Sequence, residues 1–244
     1  MDIKTVIHGS EVWRVAKSKE AFRSLCREAE FTRFFFSISN LLIPRHLLMP
    51  DLPGIEYPYI PGELFGRSFY EQLSDDQKEQ VAQQLSTFVK LVHETPLSLA
   101  DSWGLEGMED SSPYVEAFLQ SEAAPRWIAL CEKYFKLWKK LPQETVVIHG
   151  DLSEFNILTD ETKITAVIDF AKVCKGAIWR DFSYLYRVSP KLVERMLELY
   201  GRPDLLEPVR LDCIIGLFEK INRNIPKGRQ DRIERYFTLL EEFV

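Results

Sequence analysis

The stretch HGDLSEFN, residues 149–156, sets a carboxylate, Asp151, and an amide, Asn156, on one short polar segment, and a second carboxylate, Asp169, closes the run ITAVIDF. Carboxylate and amide oxygens are hard ligands that suit Mg²⁺ rather than zinc or copper. Phosphoryl transfer from a nucleotide needs little more from a protein than a carboxylate to orient the acceptor hydroxyl and oxygen ligands for the metal. Positioning and charge neutralisation supply most of its rate. Taken singly, an Asp in a loop is a turn former and an Asn ahead of a strand satisfies backbone groups. The three side chains on adjoining segments point to chemistry.

Those side chains converge only if particular elements hold them. The β-branched run TVVI precedes the polar loop, and NILT and ITAVIDF flank the turn DETK, which predicts a hairpin that returns Asp169 toward the loop. Upstream, KTVI and EVWRVAK read as strands around HGS. Over residues 20–36, Phe22, Leu25, Cys26, Ala29 and Phe36 recur at helical spacing with Glu28 on a neighbouring face. Residues 43–62 are crowded with Pro and Gly, leaving room for a short strand around Ile55–Ile60.

The remainder reads as mostly helical. Ser74 and Gln77 form a capping-box signature ahead of the stripe Val81, Leu85, Phe88 and Val92. A second helical region, about 114–140, breaks near Pro125 and is expected to bury Trp127, Leu130, Cys131, Tyr134, Leu137, Trp138 and Leu141. Ser189–Pro190 opens a further helix that Gly201 follows, and Ile233, Tyr236, Phe237, Leu240 and Phe243 pattern the last one.

The interval from Asp151 to Asn156 equals that of the protein-kinase catalytic loop. HGDLSEFNIL, then AVIDF, then KGAIWRDFSYL, resembles the aminoglycoside phosphotransferase and choline kinase-like family. The resemblance implies an α+β, bilobal protein kinase-like fold. A reduced, β-rich N-lobe would span residues 1–57 and a hinge 58–62. A larger, mostly helical C-lobe would span 63–244, with the catalytic loop at 149–156 and a metal-binding hairpin at 157–170.

By the same resemblance Asp151 is the base or hydroxyl-orienting carboxylate, and Asn156 and Asp169 hold Mg²⁺. Lys17 contacts the nucleotide phosphates while paired with Glu28, and Pro58, Tyr59 and Ile60 receive the base of ATP or GTP. His149 and Asp181 support the loop. The implied reaction passes the γ-phosphate to a hydroxyl of an aminoglycoside-like or other small substrate.

One departure bears on that implication. Only sixteen residues precede Lys17, Gly9 is their only glycine, and no G-x-G-x-x-G loop is present to cradle phosphates. A natural short form that phosphorylates, a start lying further upstream, and a kinase-like nucleotide-binding or regulatory relative with weak or no turnover are the three readings this leaves. The retained Asp151, Asn156 and Asp169 favour an enzyme. A protein kinase is disfavoured, because eleven residues separate Asp169 from Asp181 and leave no room for a peptide-binding activation segment.

Bulk composition is that of an ordinary globular protein. The net charge of −6 argues against nucleic acid held by bulk attraction. Four separated cysteines form no metal motif, and no apolar run approaches a membrane span, so a cytoplasmic protein without membrane or nucleic-acid partners is expected. Glu194, Glu198, Glu219, Glu241 and Glu242 on the C-terminal helices would suit a cationic acceptor if they lined its pocket.

Overall fold

The computed structural model describes residues 3–244. Its first part is strand-rich. β1 (Ile3–His8) and β2 (Glu11–Ala16) pair as a hairpin, and β3 (Leu47–Leu48) and β4 (Gly54–Pro58) complete an antiparallel sheet in the order β1-β2-β4-β3. Between β2 and β3 lies α1 (Lys19–Phe35), which starts where the Ser18 hydroxyl accepts from the Ala21 N–H. It packs Leu25 and Ala29 against Ala16 and Ile55 of the sheet.

The faces of α1 differ from the expected ones. Phe36, one residue past its end, is 43% exposed, while Glu28 is only 1% exposed. A carboxylate is buried to that extent only when something answers its charge. Arg14 does so from β2.

The rest of the chain is mostly helical. After β5 (Glu63–Leu64) come α2 (Arg67–Gln72), α3 (Asp75–His93), α4 (Leu97–Ser102), α5 (Ser112–Leu119) and α6 (Pro125–Trp138). The expected capping box opens α3: the Ser74 hydroxyl accepts from the Gln77 N–H, and the Gln77 amide oxygen accepts from the Ser74 N–H. Val81, Leu85, Phe88 and Val92 are then fully buried. Pro125 stands in the first turn of α6, where its missing N–H costs nothing. Leu137, expected inside, is exposed, because the buried stripe of α6 runs through Trp127, Cys131, Tyr134 and Phe135.

β6 (Thr145–Ile148), β7 (Ile157–Thr159), β8 (Ile164–Val167) and β9 (Cys174–Ala177) follow, then α7 (Arg180–Tyr186), α8 (Pro190–Tyr200), α9 (Leu206–Asn224) and α10 (Gln230–Phe243). β7 and β8 form the expected hairpin and are extended by β5, while β6 pairs with β9. The segment ahead of β3 is bonded to this hairpin region, and the chain just past β5 continues the β5–β7 pairing. The Leu42 N–H donates to Thr165 O at 3.0 Å and Leu42 O accepts from the Val167 N–H at 2.9 Å; the Phe65 N–H donates to Ile157 O at 2.9 Å. No helix among the described residues is long and apolar enough to cross a membrane.

Candidate active site

β6 ends at Ile148 and β7 begins at Ile157, so the whole polar loop 149–156 hangs between two strands anchored in the core. His149 is fully buried. Its Nε2 lies 3.2 Å from Ile168 O and its Nδ1 3.3 Å from the Asp151 N–H. Both contacts are satisfied by the neutral tautomer that carries its proton on Nε2. Burial pushes the His149 pKa down, against the pull of Asp181 and Asp151, which keeps that neutral form.

Asp181, at the start of α7, is 1% exposed and accepts from the His149 N–H at 2.8 Å and the Gly150 N–H at 3.0 Å, with His93 Nε2 3.3 Å away. Burial alone would raise its pKa; the hydrogen bond and charge of His93, with the His149 contacts, hold it below the usual carboxylate range. Gly150 has φ of +79°, and a Cβ there would meet Lys172 O at 2.3 Å. Only glycine allows the loop and the segment after the hairpin to approach this closely.

The Asp151 carboxylate is partly exposed, with Lys172 Nζ 2.8 Å from its Oδ2. The Asn156 amide N–H donates to Asp151 O at 2.9 Å, which fixes the side chain and leaves its oxygen for another partner. Asp169 has φ of 59°, in the left-handed region that non-glycine residues seldom occupy. The residue is therefore held in a strained turn, as often happens where a side chain must be aimed. Asn156 and Asp169 line two cavities at once.

The first cavity, about 270 Å³, opens toward the sheet and is lined by Thr5, Val12, Arg14, Tyr57, Tyr59 and Ile60 beside Asn156, Ile168 and Asp169. Tyr59 and Ile60, two of the three residues expected at the nucleotide base, are on this wall. Pro58 is exposed at the end of β4 and is absent from the lining. The Tyr59 N–H is engaged by Ser10 O at 2.8 Å.

The expected partner of Glu28 is corrected. Lys17 is exposed just past β2, and Glu28 instead accepts from Arg14 Nη1 at 2.6 Å. The other Arg14 nitrogen, Nη2, lies 3.8 Å from Asp169 Oδ1. Strand alternation explains the difference: Arg14 shares the inward face with Val12 and Ala16, and Lys17 falls out of that register. The same period was available in EVWRVA, so the signal that finds Arg14 lay in the sequence. Burial pushes the Glu28 carboxyl up to about 7, with Arg14 pulling it back down. His46, also unforeseen, packs 3.9 Å from Glu28 and is kept neutral because burial and Arg14 push its pKa down to about 3.

The second cavity, about 740 Å³, opens toward the C-terminal helices and holds Asp151, Asn156 and Asp169 with Glu154, Lys172, Arg187, Lys220, Arg232 and Arg235 among its lining. The carboxylates expected to line an acceptor pocket are absent from this wall. Glu198 pairs with Arg195, Glu241 with Arg126, and Glu242 with Arg67. Glu219, paired with Arg223 at 2.8 Å, lines an adjoining cavity, and Glu194 is exposed on α8.

Comparison with known proteins gives the geometry a context. The family described as "Phosphotransferase enzyme family" matches residues 16–211. An aminoglycoside 3'-phosphotransferase of Escherichia coli is 25% identical over 163 residues, covering 57% of this chain and 58% of the relative. The alignment therefore spans little more than half the length of that curated relative. Among solved structures, the GDP complex of aminoglycoside 2'-phosphotransferase-IIIa has a TM-score of 0.82 at 20% identity and covers 99% of this chain and 88% of its own. A macrolide 2'-phosphotransferase from Brachybacterium faecium has a TM-score of 0.65 at 17% identity, covering 98% and 91%. At these identities the solved structures establish the fold, which is the kinase-like one expected from the sequence.

Proposed function

The chain belongs to the phosphotransferase enzyme family, and on that premise we propose that it transfers the γ-phosphate of ATP or GTP to a hydroxyl of a small molecule. The observation that carries the reading is that Asn156 and Asp169 line both cavities, with Asp151 in the one facing the C-terminal helices. Donor and acceptor would meet there. We divide the chain into a nucleotide-side lobe, residues 1–57, a hinge, 58–62, and a lobe from 63 to 244. A nucleotide donor is a cytoplasmic supply, so we assign the reaction to the cytoplasm.

In this reading Asp151 orients the acceptor hydroxyl and takes its proton as the oxygen–phosphorus bond forms and the bond to the leaving nucleoside diphosphate breaks. Asn156 and Asp169 would hold Mg²⁺, which when bound neutralises phosphate charge; the free amide oxygen of Asn156 and the half-exposed Asp169 carboxylate suit it. His149 and Asp181 fix the loop. Arg14, held by Glu28, takes the cationic role toward the phosphates that the sequence reading gave to Lys17.

A second reading, nucleotide binding with little turnover, draws on one observation: Lys172 holds the Asp151 carboxylate at 2.8 Å. Calorimetric titration of ATP and GTP, with and without Mg²⁺, followed by nucleoside diphosphate release with candidate acceptors, separates the two. Metal-dependent binding with acceptor-stimulated release supports the kinase. Binding without release under every acceptor supports the second reading, and no binding overturns both. Kanamycin and gentamicin, present in complexes of structural neighbours, belong in the first acceptor panel.

A further inference from the structure

The cavity that contains Asp151 is lined by six basic side chains, Arg67, Lys172, Arg187, Lys220, Arg232 and Arg235, against three acidic ones, Asp151, Glu154 and Asp169. Part of this excess is answered inside the protein. Arg67 is bound to Glu242, Arg235 lies 3.5 Å from Glu154, and Lys172 is on Asp151. Arg232 is exposed, where water solvates its charge.

Lys220 and Arg187 are left. Among the described residues no carboxylate lies within ion-pair distance of either, and the Arg187 Nε is buried without a hydrogen-bond partner. The two approach one Tyr184 ring, Arg187 at 4.7 Å and Lys220 at 5.3 Å from its centroid. Both also line the adjoining cavity of about 410 Å³, so they stand at the seam between two open volumes. Burial, followed by repulsion from Arg187, pushes Lys220 down to about 8. Two part-buried cations set side by side on a cavity wall, neither in ion-pair contact with a carboxylate, suit an anion.

The donor is a poor candidate for that anion. Its cleft on the sheet side shares only Asn156 and Asp169 with this cavity and contributes one cation, Arg14, already bound to Glu28. Lys220 lies on α9 and Arg187 just past α7, on the wall formed by the C-terminal helices. Lys172, at the point of transfer, is left out of the assignment because it would face the migrating phosphoryl group whatever the acceptor.

We propose that the acceptor carries, beside its reactive hydroxyl, an anionic group of the phosphate or carboxylate class that is bound by Lys220 and Arg187. This rests on the kinase reading above and names its substrate class. The polycationic acceptors of the structural neighbours would meet the wrong sign of charge here.

The test measures binding of inorganic phosphate by calorimetry at constant ionic strength, with and without Mg²⁺ and a non-hydrolysable nucleotide. The proteins are the full chain, Lys220→Met, Lys220→Arg, Arg187→Met and, as control, Lys163→Met on the exposed hairpin turn. Expected is phosphate binding that persists with nucleotide bound and falls about 10- to 100-fold in Lys220→Met and Arg187→Met. Lys220→Arg should retain most of it and Lys163→Met all of it. Methionine removes a part-buried charge crowded by Arg187, so that variant should melt no lower than the parent protein.

Phosphate displaced by nucleotide would show that the cations serve the donor and would overturn the proposal. Phosphate that fails to bind, or binds equally to Lys220→Met, would overturn it too. So would kanamycin serving as acceptor with a KM unchanged in Lys220→Met. Absence of nucleotide binding with Lys220-dependent phosphate binding intact would instead remove the kinase reading and leave the anion site standing.

Discussion

Arg14 Nη1 lies 2.6 Å from Glu28 Oε1, and both side chains are withdrawn from water where β2 meets α1. The guanidinium also reaches toward Asp169, so one residue links the sheet, the helix and the candidate metal carboxylate. Arg14→Met would leave the Glu28 carboxyl, already pushed up to about 7, buried without its cationic partner, and should cost about 1–3 kcal/mol. Lys17→Ala, on an exposed side chain, should stay within about 0.5 kcal/mol. Urea denaturation of the two variants checks this, and a Lys17 loss as large as that of Arg14 would refute the pairing.

Asp151→Asn preserves shape and the hydrogen bond of its backbone N–H to His149 while removing the proton acceptor. Turnover should fall by about 10²–10⁴ with nucleotide affinity and thermal midpoint nearly unchanged. Steady-state kinetics beside a thermal melt reads both. A variant that keeps full activity would remove Asp151 from the chemistry.

At Asp169 stability and function should part company. Its φ of 59° is free for glycine and strained for other residues, so Asp169→Gly should gain about 1 kcal/mol over Asp169→Ala. Both should lose the Mg²⁺ dependence of nucleotide binding. Equal stability of the two variants would show the strain is relieved elsewhere; unchanged Mg²⁺ dependence would move the metal off Asp169.

Asp181→Ala leaves the buried N–H groups of His149 and Gly150 without acceptors, at about 1–3 kcal/mol each. Amide hydrogen exchange should then accelerate at both positions. Protection equal to that of the parent protein would mean the loop is held by other contacts.

The Lys220 ammonium has a definite pH signature. Facing it are the cations Arg187 and Lys172, which lower its pKa with burial, and the acids Asp151 and Glu154, which raise it. Its folded value, about 8, lies below the ordinary 10.5, so between the two the unfolded chain binds more protons. The Lys220 contribution to stability should therefore rise as pH climbs through that window. Anion affinity runs the other way: it should fall as pH rises through about 8, where the free protein loses the charge. Lys220→Arg stays protonated and should flatten that fall. An identical pH profile in the arginine variant would dissociate Lys220 from anion binding.

The loop and hairpin were legible because their information is local. Asp151, Asn156 and the β7–β8 turn are set by spacing within twenty-five residues, and the capping box at Ser74 by four. Arg14 was less so. A motif assigned by resemblance favoured the lysine, whereas the pleat of a six-residue strand decides which side chain faces inward. Helical spacing leaves Glu28 beside the apolar stripe and says nothing of its burial, which the long-range contact with Arg14 of β2 decides. The acidic helix residues show the same limit: a count of carboxylates says nothing about the arginines that packing brings beside them.

The excursion around Leu42 is hydrogen-bonded to the β7–β8 hairpin at Thr165 and Val167, and Phe65, just past β5, to the same hairpin at Ile157. That hairpin is therefore the fulcrum of the molecule. The strand-rich part is tied to Thr165 and Val167 through Leu42, and Asp169 stands two residues past β8. Any shift of the Leu42 excursion against the hairpin would therefore be felt two residues from Asp169, the carboxylate that both cavities share.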